Sequence, residues 1–150
     1  MSLPLENIQS QPPYPSFRLD EQIGFLLRRA TQRHASVFSD LMIEGLTPTQ
    51  FAALAKLYEC GPLSQNHLGR LTAMDVATIK GVVGRLLKRG YVKVAKDLAD
   101  RRRSKISLTN EGERVAAEGE FAGIEITDAT LSRLSRGERD TLVSLLRKIV

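Results

Sequence analysis

With 150 residues, 42% of them apolar, the chain has the length for one globular domain with a core of ordinary size. It carries no apolar run of about 18 residues, and its N-terminus lacks a basic stretch followed by an apolar one, so neither a membrane span nor a secretory signal is evident and a cytoplasmic protein is expected. The net charge of +5 is unevenly placed: residues 64–105 hold 11 Lys+Arg against 3 Asp+Glu, which is +8, and the remainder sums to −3.

A basic block inside a mildly acidic chain points to a polyanion, most often nucleic acid, because neutralising phosphates releases condensed counterions. A solvated basic surface is the plain alternative. The single cysteine, Cys60, cannot form an intramolecular disulfide, and the cysteine usage suits a reducing compartment. No metal-ligand spacing, phosphate loop or nucleophile motif occurs, and the two histidines, His34 and His67, lie in separate elements. An enzyme, a metal site and a cofactor are therefore not expected.

Residues 1–17 hold four of the six prolines (Pro4, Pro12, Pro13, Pro15) and read as an extended arm, with Tyr14 and Phe17 as its anchors. Asp20 is a candidate N-cap for a long amphipathic helix over about 20–44, with Ile23, Leu26, Leu27, Ala30, Val37, Phe38 and Leu41 on one stripe. His34 shares that stripe. It reads either as a packed histidine with one ring nitrogen satisfied, or as a polar group in a ligand pocket or dimer interface. Arg28, Arg29 and Arg33 flank it.

Thr47-Pro48 starts the next helix as N-cap and first-turn proline, with Phe51, Leu54, Ala55 and Tyr58 as the expected inner face and Gly61-Pro62 as the stop. Cys60 is expected to be small and partly buried there, with Glu59 beside it disfavouring a thiolate. Ser64 caps a short helix, Gln65 to Leu71, and Thr72-Ala73-Met74 makes a turn. Asp75 then caps a helix whose stripe is Val76, Ile79, Val82, Val83, Leu86 and Leu87, closed by Gly90. Two helices joined by a tight turn form a helix-turn-helix. Small residues early in the second helix would let its backbone approach a groove, with Lys80 and Arg85 reaching bases or phosphates. The candidate DNA-contacting residues here are Ser64, Gln65, Asn66, Thr72, Asp75, Ala77, Thr78, Lys80, Gly81 and Arg85. His67 reads as a solvent or phosphate contact.

Two short strands, about Tyr91 to Ala95 and Lys105 to Leu108, flank a loop containing Arg101, Arg102 and Arg103. This is a hairpin with a basic tip, in which Asp100 holds one arginine by a bidentate pair while a neighbouring arginine points outward. Thr109 caps a helix running to about Leu134, with Glu111 and Glu113 complementing its dipole and Val115, Ala116, Phe121, Ile124, Ile126 and Leu131 as a weak apolar pattern. Ser135 caps a last helix lined by Leu142, Leu145, Leu146 and Ile149. Apolar stripes at both ends of the chain call for a partner, and a two-fold dimer supplies one.

The fold class read from these elements is mainly α with a small β-hairpin wing (α+β), a winged helix-turn-helix at about 47–109 between terminal helices at about 20–44 and 110–150, so that 18–150 forms one domain after the arm. The run Leu86 to Val92 (LLKRGYV), then Asp100-Arg101-Arg102, then Ile106-Ser107-Leu108-Thr109 and Gly112, resembles in register the signature of the MarR family of bacterial winged-helix regulators. The resemblance covers nearly the whole chain after Phe17. It departs from the family pattern at Val94 and Ala95 in the wing and at Lys80, Gly81 and Gly84 in the second helix, positions that bear on sequence preference.

The resemblance implies a homodimer held by the terminal helices, double-stranded DNA as partner, one helix in each major groove, and wings at the minor groove or its phosphates. It assigns the wing contact to Arg101 or Arg102 and the positioning role to Asp100. It also implies release from DNA by a small molecule. The run Leu26 to His34 is similar to members that control aromatic-acid breakdown, which makes an aromatic acid or its thioester the expected effector; by their position on the first helix, and not by a family motif, Arg28, Arg29, Arg33, His34 and Phe38 are the expected ligand-binding residues. Peroxide-sensing members use a cysteine near the first helix, and Cys60 lies elsewhere. A repressor is the leading expectation; a sequence-neutral nucleic-acid-binding protein without an effector is the alternative.

Overall fold

The computed structural model describes residues 16–150. Most of the expected arm, including Tyr14, lies outside them. The described chain has six α-helices and one hairpin in the order α1 (Ile23–Leu41), α2 (Pro48–Cys60), α3 (Gln65–Leu71), α4 (Val76–Lys88), β1 (Val92–Lys96), β2 (Ser104–Leu108), α5 (Asn110–Thr130) and α6 (Arg136–Ile149). It divides into two compact units, one ending at Arg33 and one running His34–Val150.

Asp20 is not the cap of α1. It sits inside a single 3-10 turn, Leu19–Glu21, and the first α-type bond runs from Leu26 N–H to the Gln22 carbonyl. The helix is also shorter than expected, because Glu44 and Gly45 both take left-handed backbone (φ 55° and 61°) and reverse the chain. Of the predicted stripe on α1 only Phe38 is buried, and Ile23, Leu26, Leu27 and Leu41 are exposed.

α2 begins as its sequence dictates. Thr47 and Gln50 form a reciprocal capping box, and Pro48 opens the first turn. Its buried face, however, is Gln50, Ala53, Leu54 and Leu57, while Tyr58 is exposed. The expected face is rotated because Gln50 spends its side-chain oxygen on the Thr47 N–H, which lets a polar residue be buried. Phe51 turns instead toward α5, where Gly119 and Gly123 leave room for its ring; a Cβ on Gly119 would stand 2.9 Å from it. Cys60 is exposed rather than partly buried.

The core is built from Leu54 and Leu57 of α2, Leu68 of α3, Ile79, Val82 and Leu86 of α4, Ile106 of β2 and Val115 of α5. Val76 and Leu87, expected in the stripe of α4, are exposed: the 3.6-residue period carries them past the edge of the contact. The strands pair antiparallel from Val92↔Leu108 to Lys96↔Ser104. Leu63 joins them through reciprocal backbone bonds with Ile106, 2.7 and 3.0 Å long, which ties the α2–α3 junction to the middle of β2.

Thr109 connects hairpin and α5. Its hydroxyl donates to the Gly90 carbonyl (2.6 Å) and accepts from Gly112 N–H (3.0 Å), and its own N–H donates to Tyr91 O (3.0 Å). α5 ends at Thr130, earlier than Leu134, and Phe121 and Ile124 of its expected apolar pattern are exposed. α6 buries none of its residues, leaving Val143, Leu145, Leu146 and Ile149 on its surface.

Candidate nucleic-acid interface

The α3–α4 pair is a helix-turn-helix whose turn is fixed atom by atom. Ala73 takes a left-handed φ of 54°, Met74 N–H donates to Gly69 O (2.9 Å), and the Thr72 hydroxyl donates to Leu68 O (2.6 Å). The helices approach so closely that a Cβ on Gly69 would lie 3.1 Å from Ile79 Cγ2. The Thr72 hydroxyl thus also closes the turn between the two helices. Ser64 caps α3 through His67 N–H (3.3 Å), placing Gln65, Asn66 and an exposed His67 in the first turn.

Asp75 caps α4 by accepting the Thr78 N–H at 2.7 Å. Hydrogen bonding from Thr78, its side chain foremost and its N–H next, holds the Asp75 carboxyl below its ordinary value of 3.8. A lowered folded-state pKa stabilises the fold fully above the unfolded value and loses that effect as pH falls through the lowered one. D75N retains a capping side chain but cannot titrate. Thermal melting followed from about pH 5 down to about pH 2 is expected to show a shallower loss for D75N than for the wild type; parallel profiles would refute this.

Beyond the cap, Ala77, Thr78, Lys80 and Arg85 are exposed on α4, and Gly81 is half-buried with the Arg85 guanidinium 3.4 Å from where its Cβ would be. Lys80 and Arg85 form no ion pair among the described residues. Arg89, one residue past α4, is used structurally: its guanidinium donates to the Glu44 carbonyl and lies 4.8 Å over the Tyr91 ring. Arg114 of α5 joins this cluster, pairing with Glu44 (3.6 Å), Glu111 and Glu118, and its hydrogen bond holds the Glu111 carboxyl below the usual range. The cluster pins the end of α4. The Glu111–Arg114–Glu118 pairs follow helical spacing, whereas the contacts of Glu44 with Arg89 and Arg114 join residues far apart in the chain and no local pattern announced them.

The wing loop is a closed hairpin. Asp97 N–H donates to Arg103 O (2.9 Å) and Arg103 N–H to Asp100 O (3.0 Å). The bidentate grip expected of Asp100 is replaced by a bridge. One carboxylate oxygen accepts Arg102 N–H (3.0 Å) and faces Arg102 Nε (3.4 Å), while the other pairs with Arg103 Nε (3.8 Å). The short i to i+2 and i to i+3 separations leave room for one oxygen per guanidinium. Arg101 has no ion-pair partner among the described residues.

Between the first turn of α3 and the hairpin runs a groove of about 560 Å3 lined by Ser64, Gln65, Asn66, Arg70, Val94, Arg103, Ser104 and Ile106. It unites three of the predicted contacts on α3 with Arg103 of the wing, and it adds Arg70 and Ser104, which sequence reasoning had not singled out. Arg70 is an exposed base one turn after Asn66, and that spacing could have revealed it.

The other predicted residues lie along α1. Arg28 and Arg29 stack over the Phe25 ring at 5.6 and 5.9 Å, and Arg33 is exposed. His34 Nδ1 is 3.0 Å from Thr130 Oγ1 of α5, so one ring nitrogen is satisfied, yet the residue is exposed in the single chain rather than packed. Its ring tilts against Phe38 (6.2 Å), which in turn meets Phe51 (6.3 Å). Among the described residues no group of three or more His, Cys, Asp or Glu could hold a metal ion, and no helix is long and apolar enough to cross a membrane.

Comparison with known proteins places this arrangement. The MarR family profile matches residues 46–104, which span α2 to the start of β2. The repressor NicR of Pseudomonas putida is 37% identical over 150 residues, covering 99% of this chain and 90% of its own. A probable transcriptional regulator from Pseudomonas aeruginosa has a crystal structure that superposes with a TM-score of 0.86 at 51% identity, over 89% of this chain and all of the other. BpsR of Bordetella bronchiseptica, whose DNA binding is described as regulated by 6-hydroxynicotinic acid, superposes with a TM-score of 0.85 at 38% identity, over 90% of this chain and 97% of its own. With the helix-turn-helix, the basic wing and the flanking helices all in place, the chain belongs to the MarR family of DNA-binding transcriptional regulators.

Proposed function

We propose that the protein is a cytoplasmic homodimeric repressor that binds a palindromic operator without catalytic activity or cofactor and is released by a small aromatic acid. The observation that carries this reading is the row of uncompensated cations, Lys80, Arg85 and Arg101, presented by a capped α4 and a closed wing. Phosphates are their natural partners. The proposed contacts are Ser64, Gln65, Asn66, Ala77, Thr78, Lys80, Gly81, Arg85 and Arg101 to Arg103, with Thr72 and Asp75 holding the helices and Asp100 the wing. The apolar residues left exposed on α5 and α6 support self-association, since Phe121, Ile124, Leu145 and Ile149 are unburied in the single chain.

The likeness to BpsR, whose DNA binding is regulated by 6-hydroxynicotinic acid, supports a hydroxylated aromatic acid. Residue types suited to such an acid lie along α1. Arg28, Arg29 and Arg33 offer charge-assisted hydrogen bonds to a carboxylate, and His34 and Phe38 offer faces for a flat ring. Gel shifts against DNA flanking the gene should reveal half-sites about one helical turn, roughly 10 base pairs, apart. Millimolar 6-hydroxynicotinic acid or a hydroxybenzoic acid is expected to raise the melting temperature and dissociate that complex, since a ligand bound only by the folded form must stabilise it. Neither stabilisation nor release by any aromatic acid in such a panel would overturn the effector assignment.

A further inference from the structure

We propose that Leu98, at the tip of the wing, is an apolar wedge that enters the DNA groove between the phosphate contacts, so that the wing reads how easily the duplex deforms as well as holding its charge. This rests on the DNA-binding reading above. Leu98 is fully exposed, at 102% of its reference surface. A lone exposed leucine is ordinary on a protein surface; its setting here is not.

The residue is held in place. The Asp97 side chain, itself only 19% exposed, accepts Ala99 N–H at 2.9 Å across Leu98 and pairs with Lys105 Nζ at 3.8 Å. The Asp97 N–H closes the hairpin onto Arg103 O. Leu98 therefore sits in a turn whose backbone is fixed by hydrogen bonds at Asp97 and Ala99, with its side chain wholly in solvent.

The surroundings identify the occupant. From Lys96 to Lys105 the loop carries five Lys+Arg against two Asp, a net charge of +3. An apolar protein surface would have to strip water from those cations without compensating them, whereas a duplex neutralises them along its phosphates. Once the cations sit on the phosphate ridges, an apolar group between them gains nothing from a ridge. It gains by burial against sugars and base edges, and leucine is one of the side chains able to part a base step in a minor groove. Such insertion favours sequences containing flexible pyrimidine–purine steps, which gives the wing a preference that its arginines cannot express.

The test uses the purified full-length protein and the tightest duplex that the wild type selects from a randomised pool. L98A is expected to weaken binding about tenfold while leaving the slope of log K against log salt unchanged, because no charge is removed. L98M, which keeps the apolar length, is expected to stay within about twofold of wild type. Replacing the pyrimidine–purine step beneath the wing with a stiff A-tract should weaken the wild type more than L98A. Wild-type affinity in L98A, or a fall in its salt slope, would overturn the proposal. R101A measured alongside keeps the two readings apart. If R101A loses affinity and slope while L98A loses neither, the wing binds DNA and the wedge assignment fails; if none of the variants differs, the wing does not meet DNA.

Discussion

Replacing both Arg101 and Arg102 with alanine is expected to weaken operator binding about a hundredfold near physiological ionic strength, and to flatten its salt dependence. Each phosphate contact contributes about 0.9 to the slope of log K against log salt, so two arginines in each of two protomers contribute at most about 3.6. The two are not equivalent. Arg101 has no ion-pair partner among the described residues, so its charge is wholly available, while Arg102 shares Asp100 with Arg103 and must give up part of that pairing to meet a phosphate. R101A alone is therefore expected to take the larger share of the loss, with a slope decrease of about 2. The measurement is a fluorescence-anisotropy titration at several salt concentrations. A double variant that binds as tightly and as salt-sensitively as the wild type would remove the wing from the interface.

Gly112→Ala is expected to destabilise the fold by about 3 kcal/mol or more, the upper range for forcing a methyl into closed space. In a chain of this length that lowers the melting temperature by about 10 °C. The reason is geometric. A Cβ at Gly112 would stand 1.9 Å from the Tyr91 carbonyl oxygen and 2.8 Å from its carbon, and these are backbone atoms that cannot swing aside. Moving them would pull on the Thr109 bonds to Gly90 and Tyr91, and through them on the hairpin and the start of α5. Gly24→Ala, at the second residue of α1, has nothing within 4 Å of the new methyl and serves as the control, expected to be neutral or slightly stabilising because alanine is the better helix former. Equal melting temperatures for G112A and wild type, read by circular dichroism, would refute the close-approach argument.

The contrast between these two glycines shows where reading the chain succeeds. Gly112 stood out as part of a signature three residues after a capping threonine, but the Tyr91 carbonyl it must avoid is 21 residues away in sequence. Capping pairs were legible because donor and acceptor lie within one helical turn: Thr47 with Gln50, Ser64 with His67, Asp75 with Thr78 and Ser135 with Glu138 all form. The helix-turn-helix, the two short strands and the basic tip were legible for the same reason. The faces of the helices were less so. Periodicity located an apolar stripe on α2 and α4 but could not say how wide the contact would be, and Tyr58, Val76 and Leu87 fell outside it.

The site divides the same way. The cations of α4 and the wing could be named from charge and spacing, whereas their availability could not. Arg89, equally basic and next to α4, is consumed by Glu44 and Tyr91, while Arg101 is left to act. The sequence by itself determined most of the local pieces of this protein, namely where α2 to α6 start, where the basic hairpin turns, and which family's pattern it repeats, because those depend on interactions within a few residues. Only the tertiary structure decided which arginines are available, that Leu63 anchors the wing, that Gly112 cannot carry a side chain, and that Leu98 is left fully exposed beside the cations of the wing. Those outcomes depend on atoms that folding alone brings together, and no local pattern encodes their distances.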